Sequence, residues 1–195
     1  ARSEMCIRDR VSSTDWNLIL VNRDNQQEEK TPDLTQIGEI QVDSRIAENT
    51  RQFLAAAQAI APEETLISGY RSRAEQEELY NEKVAGEVAK GLSNEEAVSI
   101  VLKQVQLPGA SEHQTGLAID MSAPEGQEDE LAAKIAQLAP QYGFVLRYPD
   151  GKSDITGVDF ENWHYRYVGV ENAQYMQKHN LVLEEYIALL KEAGK

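Results

Sequence analysis

Two stretches of the sequence hold histidine and carboxylate at spacings that suit a divalent metal. The segment SEHQTGLAID, residues 111–120, carries His113 and, seven residues later, Asp120. Imidazole and carboxylate are both good zinc donors. Read as a strand from Leu117 to Met121, the segment turns Ala118 and Asp120 to one face and Ile119 to the other. Asp120 then projects into a cleft while Ile119 enters the core. Taken alone, this pair fits better as a surface histidine beside a strand-end aspartate. The segment ENWHYRYVG, residues 161–169, carries Glu161 and His164, three apart. On a straight strand they point to opposite faces. With Tyr165–Val168 as the strand, Glu161 falls in the turn before it and both side chains can face one cleft. His164 then serves as a third ligand and Glu161 as a base beside the metal. The competing reading is a structural histidine next to a surface glutamate. The chain has three histidines, and two of them sit in compact Gly- and aromatic-containing segments with acidic partners, which weakens both plainer readings. Two histidines and one carboxylate leave a fourth position for water, the catalytic arrangement rather than the closed structural one. A third stretch, SGYRSR at 68–73, puts Arg71 where a strand meets a capped helix. A guanidinium there can hold a substrate carboxylate or a developing oxyanion bidentately, although a single arginine is ordinarily a surface residue.

These residues need elements to carry them. Apolar residues at helical spacing predict a helix over 44–60, with Ile46, Phe53, Leu54, Ala57 and Ile60 on one face. A short strand is expected over 66–70. Ser72 with Glu75, and Ser93 with Glu96, are capping-box patterns that start helices running to about Val88 and Val105. Further strands are expected over 116–121, 144–148 and 164–168. Further helices are expected over 128–142, ended by Gly143, and over 171–179 and 183–192. Residues 11–43 read as an extended arm, with a short apolar stretch over 16–21, followed by a polar loop. Interspersed helices and very short strands predict an α+β fold: a single domain with a small, mostly antiparallel sheet, flanking helices and no internal repeat or linker.

Composition removes other classes. In 195 residues, 19 Lys and Arg face 33 Asp and Glu, a net charge of −14. That is a poor basis for binding nucleic acid or a polybasic-type membrane surface. No apolar run approaches a bilayer span. One cysteine, Cys6, excludes an intramolecular disulfide and a cysteine-based zinc site. Residues 1–10, ARSEMCIRDR, show no apolar period, cap or signal-peptide pattern. Met5–Arg10 can be encoded by a string resembling a sequencing-library adapter. We therefore expect a non-native tail over 1–10, an arm over 11–43 and the working domain over 44–195. An uninterrupted native reading frame through those codons at the locus would overturn that expectation.

Taken together, SGYRSRAEQEELY, PGASEHQTGLAIDM, GFVLRYP and ENWHYRYVG resemble the VanY-type zinc D-alanyl-D-alanine carboxypeptidases and the related L,D-carboxypeptidases of peptidoglycan. The likeness covers roughly residues 44–190. It implies a Hedgehog/D,D-peptidase-like fold with a zinc cleft across the sheet. It implies one Zn2+ held by His113, Asp120 and His164, with Glu161 as general base and then acid, and Arg71 at the oxyanion. It further implies Ser111 and Gln76 as contacts to the terminal D-Ala carboxylate, and Trp163 and Tyr148 as cleft walls. The expected reaction is removal of the C-terminal D-alanine from peptidoglycan stem peptides by a monomer outside the cytoplasm, associated with the cell envelope, its signal or anchor missing from this chain. L,D-carboxypeptidase or endopeptidase activity on the same fold, or a zinc-containing peptidoglycan-binding module, are the alternatives.

Overall fold

Side-chain alternation along two short strands separates the core from the chemistry. The structure is a computed structural model describing residues 9–195; Cys6, and residues 1–8 of the expected non-native tail, lie outside the described residues. β1 (Leu34–Ile37) and β2 (Ile40–Asp43) form a hairpin of their own. β3 (Thr65–Ser68), β4 (Ala118–Ser122), β5 (Phe144–Leu146) and β6 (His164–Tyr167) form a sheet in the order β3-β4-β6-β5, every pairing antiparallel. Among the described residues the longer helices are α1 (Ala47–Ile60), α2 (Arg73–Ala89), α3 (Asn94–Val101), α4 (Asp129–Leu138), α5 (Val170–Lys178) and α6 (Leu183–Glu192). This is the expected α+β domain with a small antiparallel sheet.

On one face of the sheet, Ile119 and Met121 of β4 and Tyr165 of β6 are fully buried with Phe53 of α1 and Ile135 of α4. Phe53 sits at the centre: the Phe144 ring lies 5.1 Å away and the Tyr165 ring meets it edge-on at 4.9 Å. The opposite face of the same two strands carries Asp120, His164 and Arg166. A second apolar cluster joins Leu18 and Val168 to α5 and α6 through Met176, Leu183, Ile187 and Leu190, so the apolar face of α6 is core packing. His179, which follows α5, is exposed.

Most expected elements form, with shifts that have local causes. Ser72 caps α2, its Oγ accepting from Glu75 N–H. α3 stops at Val101 rather than Val105, because the next two carbonyls are drawn outward: Leu102 accepts from Arg23 and Lys103 from Asp159 N–H. α4 gives way after Leu138 to a 3-10 turn, where Pro140 removes a helical donor. The polar stretch read as a loop contains the β1–β2 hairpin. Its buried Ile37, Ile40 and Val42 alternate too briefly to stand out among Gln, Asn and Glu. Among the described residues, no helix is long and apolar enough to cross a membrane.

Candidate metal and catalytic centre

The β4–β6 register pairs Ala118 with Arg166, Ile119 with Tyr165 and Asp120 with His164. Asp120 and His164 are therefore direct cross-strand neighbours on the cleft face. His113 arrives from the 3-10 turn Glu112–Thr115, capped by Ser111, whose Oγ accepts from His113 N–H at 3.4 Å. Gly116 ends that turn at φ +76, and a Cβ there would lie 2.9 Å from Asp43 N. Glycine is required both for the left-handed backbone and for the close approach of β2. On the other side, the β3–β4 register shifts between Leu66 and Ser68. This irregularity re-aims the chain as it enters the 68–71 segment.

Hydrogen bonds fix which nitrogen of each imidazole faces inward. His113 Nδ1 lies 2.8 Å from the Gly69 carbonyl, a pure acceptor, so Nδ1 carries the proton and Nε2 is left as a donor atom. His164 Nε2 lies 2.8 Å from Glu112 Oε1, so Nδ1 is its inward atom. These nitrogens and an Asp120 oxygen all lie within 4.8 Å of one another. Asp120 Oδ1 is 3.1 Å from His164 Nδ1 and 3.5 Å from His113 Nε2, yet it is buried and accepts no well-aligned hydrogen bond among the described residues. Three donor atoms that converge on a point rather than on each other fit a cation, and an N, N, O set with one carboxylate suits zinc.

The electrostatics agree. Burial would raise the Asp120 carboxyl, but His113 and His164 outweigh it and hold it far below the usual carboxylate range. Burial would lower the His164 imidazole, but Asp120 and Glu112 outweigh it and raise it, so the ring takes up a positive charge whose place on Nδ1 a bound cation would fill. Two carboxylates flanking one ring make a place that favours positive charge.

Glu161 sits in the turn before β6, its N–H donating to the Tyr148 carbonyl. Its Oε2 is 3.9 Å from His164 Nδ1. Burial pushes its carboxyl up to about 7; His164 and Arg71 oppose this while Asp120 and Glu112 add to it. A carboxyl near neutrality can both accept and return a proton. Arg71 Nη2 is 3.5 Å from Asp120 Oδ2, and its Nη1 donates to Gln76 Oε1 at 2.8 Å. Gln76 Nε2 in turn donates to the Gln106 carbonyl, so this buried amide holds the guanidinium in place. The Tyr148 ring lies against His164 with centroids 4.9 Å apart, while Trp163 stands 40% exposed. All the sequence-derived site residues line one cleft of about 570 Å3.

Sequence reasoning missed Glu112, Arg147 and Arg166, all buried behind the ligands. One signal was available. Arg166 is two residues after His164 on a strand and so shares its face, and a charge pointing into a domain needs a buried partner.

Residues 39–170 match the family described as VanY, D-alanyl-D-alanine carboxypeptidase. The chain is 39% identical to a D-alanyl-D-alanine carboxypeptidase of Enterococcus faecalis over 89% of its own length and 66% of that protein's. It is similar to the structure of VanYB in complex with D-alanine-D-alanine, with 38% identity, TM-score 0.83, and coverage of 89% of this chain and 98% of the other. It also resembles the LD-carboxypeptidase LdcB, with 31% identity, TM-score 0.70, and coverage of 89% and 86%. A convergent N, N, O triad, a near-neutral glutamate beside it and this match over most of the domain lead to one assignment: the chain belongs to the VanY family of D-alanyl-D-alanine carboxypeptidases.

Proposed function

We propose that the protein is a zinc-dependent carboxypeptidase that removes the terminal D-alanine from peptidoglycan stem peptides outside the cytoplasmic membrane. The observation that carries this reading is the buried carboxyl of Glu161 beside the His113–Asp120–His164 triad, with the Arg71 guanidinium at the same triad. A relative at 38% identity that binds D-alanine-D-alanine, and another solved with Zn(II), support the substrate class and the metal.

Zinc, when bound, supplies Lewis acidity at the scissile carbonyl and acidifies water. The rest falls to the protein. Glu161 takes the proton of the attacking water as the carbonyl carbon of the penultimate residue becomes tetrahedral. As the C–N bond breaks, it returns that proton to the departing D-alanine nitrogen. Arg71, held by Gln76, offsets the negative charge that develops on the carbonyl oxygen. Ser111, whose Oγ accepts from His113 N–H and keeps its own O–H to donate, and Gln76 line the same cleft and are the candidate contacts to the substrate's terminal carboxylate. Tyr148 and Trp163 shape the walls.

Zinc-loaded protein, with Glu161→Ala as control, would be incubated with muropeptide penta- and tetrapeptides and the products weighed by mass spectrometry. Loss of one alanine from the pentapeptide alone, dependent on Glu161, is expected. Loss from the tetrapeptide would move the reading to L,D-carboxypeptidase, the activity named for LdcB. No cleavage of either by zinc-loaded protein would overturn it.

A further inference from the structure

Behind the metal ligands lies a buried ionic cluster that the catalytic reading does not use. Glu112 is 1% exposed and follows Ser111 in the capped turn. Its Oε1 meets His164 Nε2 at 2.8 Å. Its Oε2 accepts from Arg147 Nε and from Arg166 Nη1, both at 3.0 Å. Arg147 reaches on to α6, donating twice to Glu184 at 2.7 Å. Asn22 also donates to Glu184. Arg166 Nη2 donates to the Asn17 and Ile19 carbonyls, at 3.1 and 2.8 Å. Both guanidinium side chains are fully buried.

Two features set this cluster apart from ordinary packing. Its charges balance, two carboxylates against two guanidinium groups, so it can be buried without a net charge. Its outer members, Asn17, Ile19, Asn22 and Glu184, all lie outside the 39–170 stretch that matches the family. The arm and the closing helix therefore end, electrostatically, on a metal ligand.

We infer that Glu112 is a positioning residue for the metal. It fixes the His164 ring with Nε2–H outward and Nδ1 inward, and it is itself held by an Arg147–Glu184 and Arg166–arm network that makes residues 17–22 and α6 part of the metal site. This rests on the zinc reading above and adds to it the parts of the chain that hold the site in shape. An ionised carboxylate can only accept, so Glu112 permits a single neutral tautomer of His164. Removing its charge does two things. It releases the ring, and it leaves two guanidinium groups against one carboxylate close behind a cation site. Both effects weaken metal binding, and loss of such a ligand-orienting partner typically costs about 10- to 100-fold in affinity.

The test is chelator competition for zinc, read alongside the visible spectrum of the cobalt-substituted protein, with no substrate present. Wild type, Glu112→Gln, Glu112→Asp and Glu184→Gln would be compared, and near-UV circular dichroism of the metal-free proteins would establish that each is folded. Glu112→Gln is expected to raise the zinc Kd by about 10- to 100-fold and to alter the cobalt bands. Glu112→Asp, which restores the charge, is expected to recover part of that loss. Glu184→Gln, with no contact to a ligand, is expected to shift the Kd in the same direction by less. A folded Glu112→Gln protein with wild-type Kd and cobalt spectrum overturns the inference and leaves the carboxypeptidase reading untouched. Should Glu112→Gln fail to fold, an unchanged Kd in Glu184→Gln overturns it equally. Wild type that takes up no stoichiometric zinc would fail the underlying reading instead.

Discussion

Glu161 and His164 are close neighbours in the chain with separate tasks, and single substitutions should separate them. Glu161→Gln is expected to retain one zinc per chain by elemental analysis and to lose about 10²- to 10⁴-fold in kcat, the usual contribution of a proton-transferring group. Zinc-loaded protein with near-wild-type turnover would refute the base assignment. His113→Ala and His164→Ala are expected to lose zinc, measured by the same analysis after dialysis; stoichiometric zinc in either would refute the ligand set. At this scale the sequence was informative wherever a residue type is chemically scarce. Three histidines in 195 residues narrow the ligand choices before any fold is known. It was uninformative for Glu112, one of 33 acidic residues, whose burial depends on Arg147, just after β5, and Arg166, within β6, both arriving from far along the chain. Gln76 shows a subtler limit. Its place in the cleft was legible, but not that its amide already holds Arg71 and Gln106.

Elements make the site by how they end and how closely they approach. A Cβ on Gly69 would lie 2.3 Å from the Gln41 carbonyl, so Gly69→Ala must push the β1–β2 hairpin away from the segment whose carbonyl orients His113. A fall in the thermal midpoint together with a weaker zinc Kd is expected; an unchanged Kd would show that the hairpin does not brace the ligand turn. Glu64, just before β3, is a different case. It is 1% exposed and neither carboxylate oxygen has a hydrogen-bond partner among the described residues, nor has the buried Tyr165 hydroxyl. Burial pushes the Glu64 carboxyl from 4.5 up to about 7, with Glu63 adding repulsion. Because the folded value is the higher one, the folded protein prefers the protonated form. Its stability should fall as pH rises from 4.5 to 7 and level off above, by about 3 kcal/mol at about 1.4 kcal/mol per tenfold in proton affinity. Urea midpoints at pH 5 and pH 8 check this: Glu64→Gln should stabilise the protein at pH 8 and flatten the dependence. Equal pH dependence in both proteins would count against it. The helices were legible from caps and apolar spacing because both are local. The hairpin was not, since four-residue strands give too few alternations, and what holds them is Gly69 and Gly116 approaching from elsewhere.

For the molecule as a whole, a net charge of −14 sets a weak long-range repulsion against any anionic stem peptide. The Debye length shortens from about 30 Å at 0.01 M salt to about 8 Å at 0.15 M. Over that range kcat/KM for such a substrate should rise, while kcat at saturation stays level. A falling kcat/KM would instead point to a locally attractive cleft dominated by Arg71 and its surroundings. The register that sets Asp120 opposite His164 has one more consequence. These two positions are 44 apart in the sequence, and a single ion gripping both closes the intervening loop. In a chain whose only cysteine rules out an internal disulfide, the ion is a reversible cross-link. A covalent bridge over a loop of this size is worth about 4 kcal/mol of chain entropy, and a bound ion acts on the same unfolded ensemble. Stripping the metal should therefore shorten survival against trypsin as well as stop turnover, making metal supply a determinant of the enzyme's lifetime.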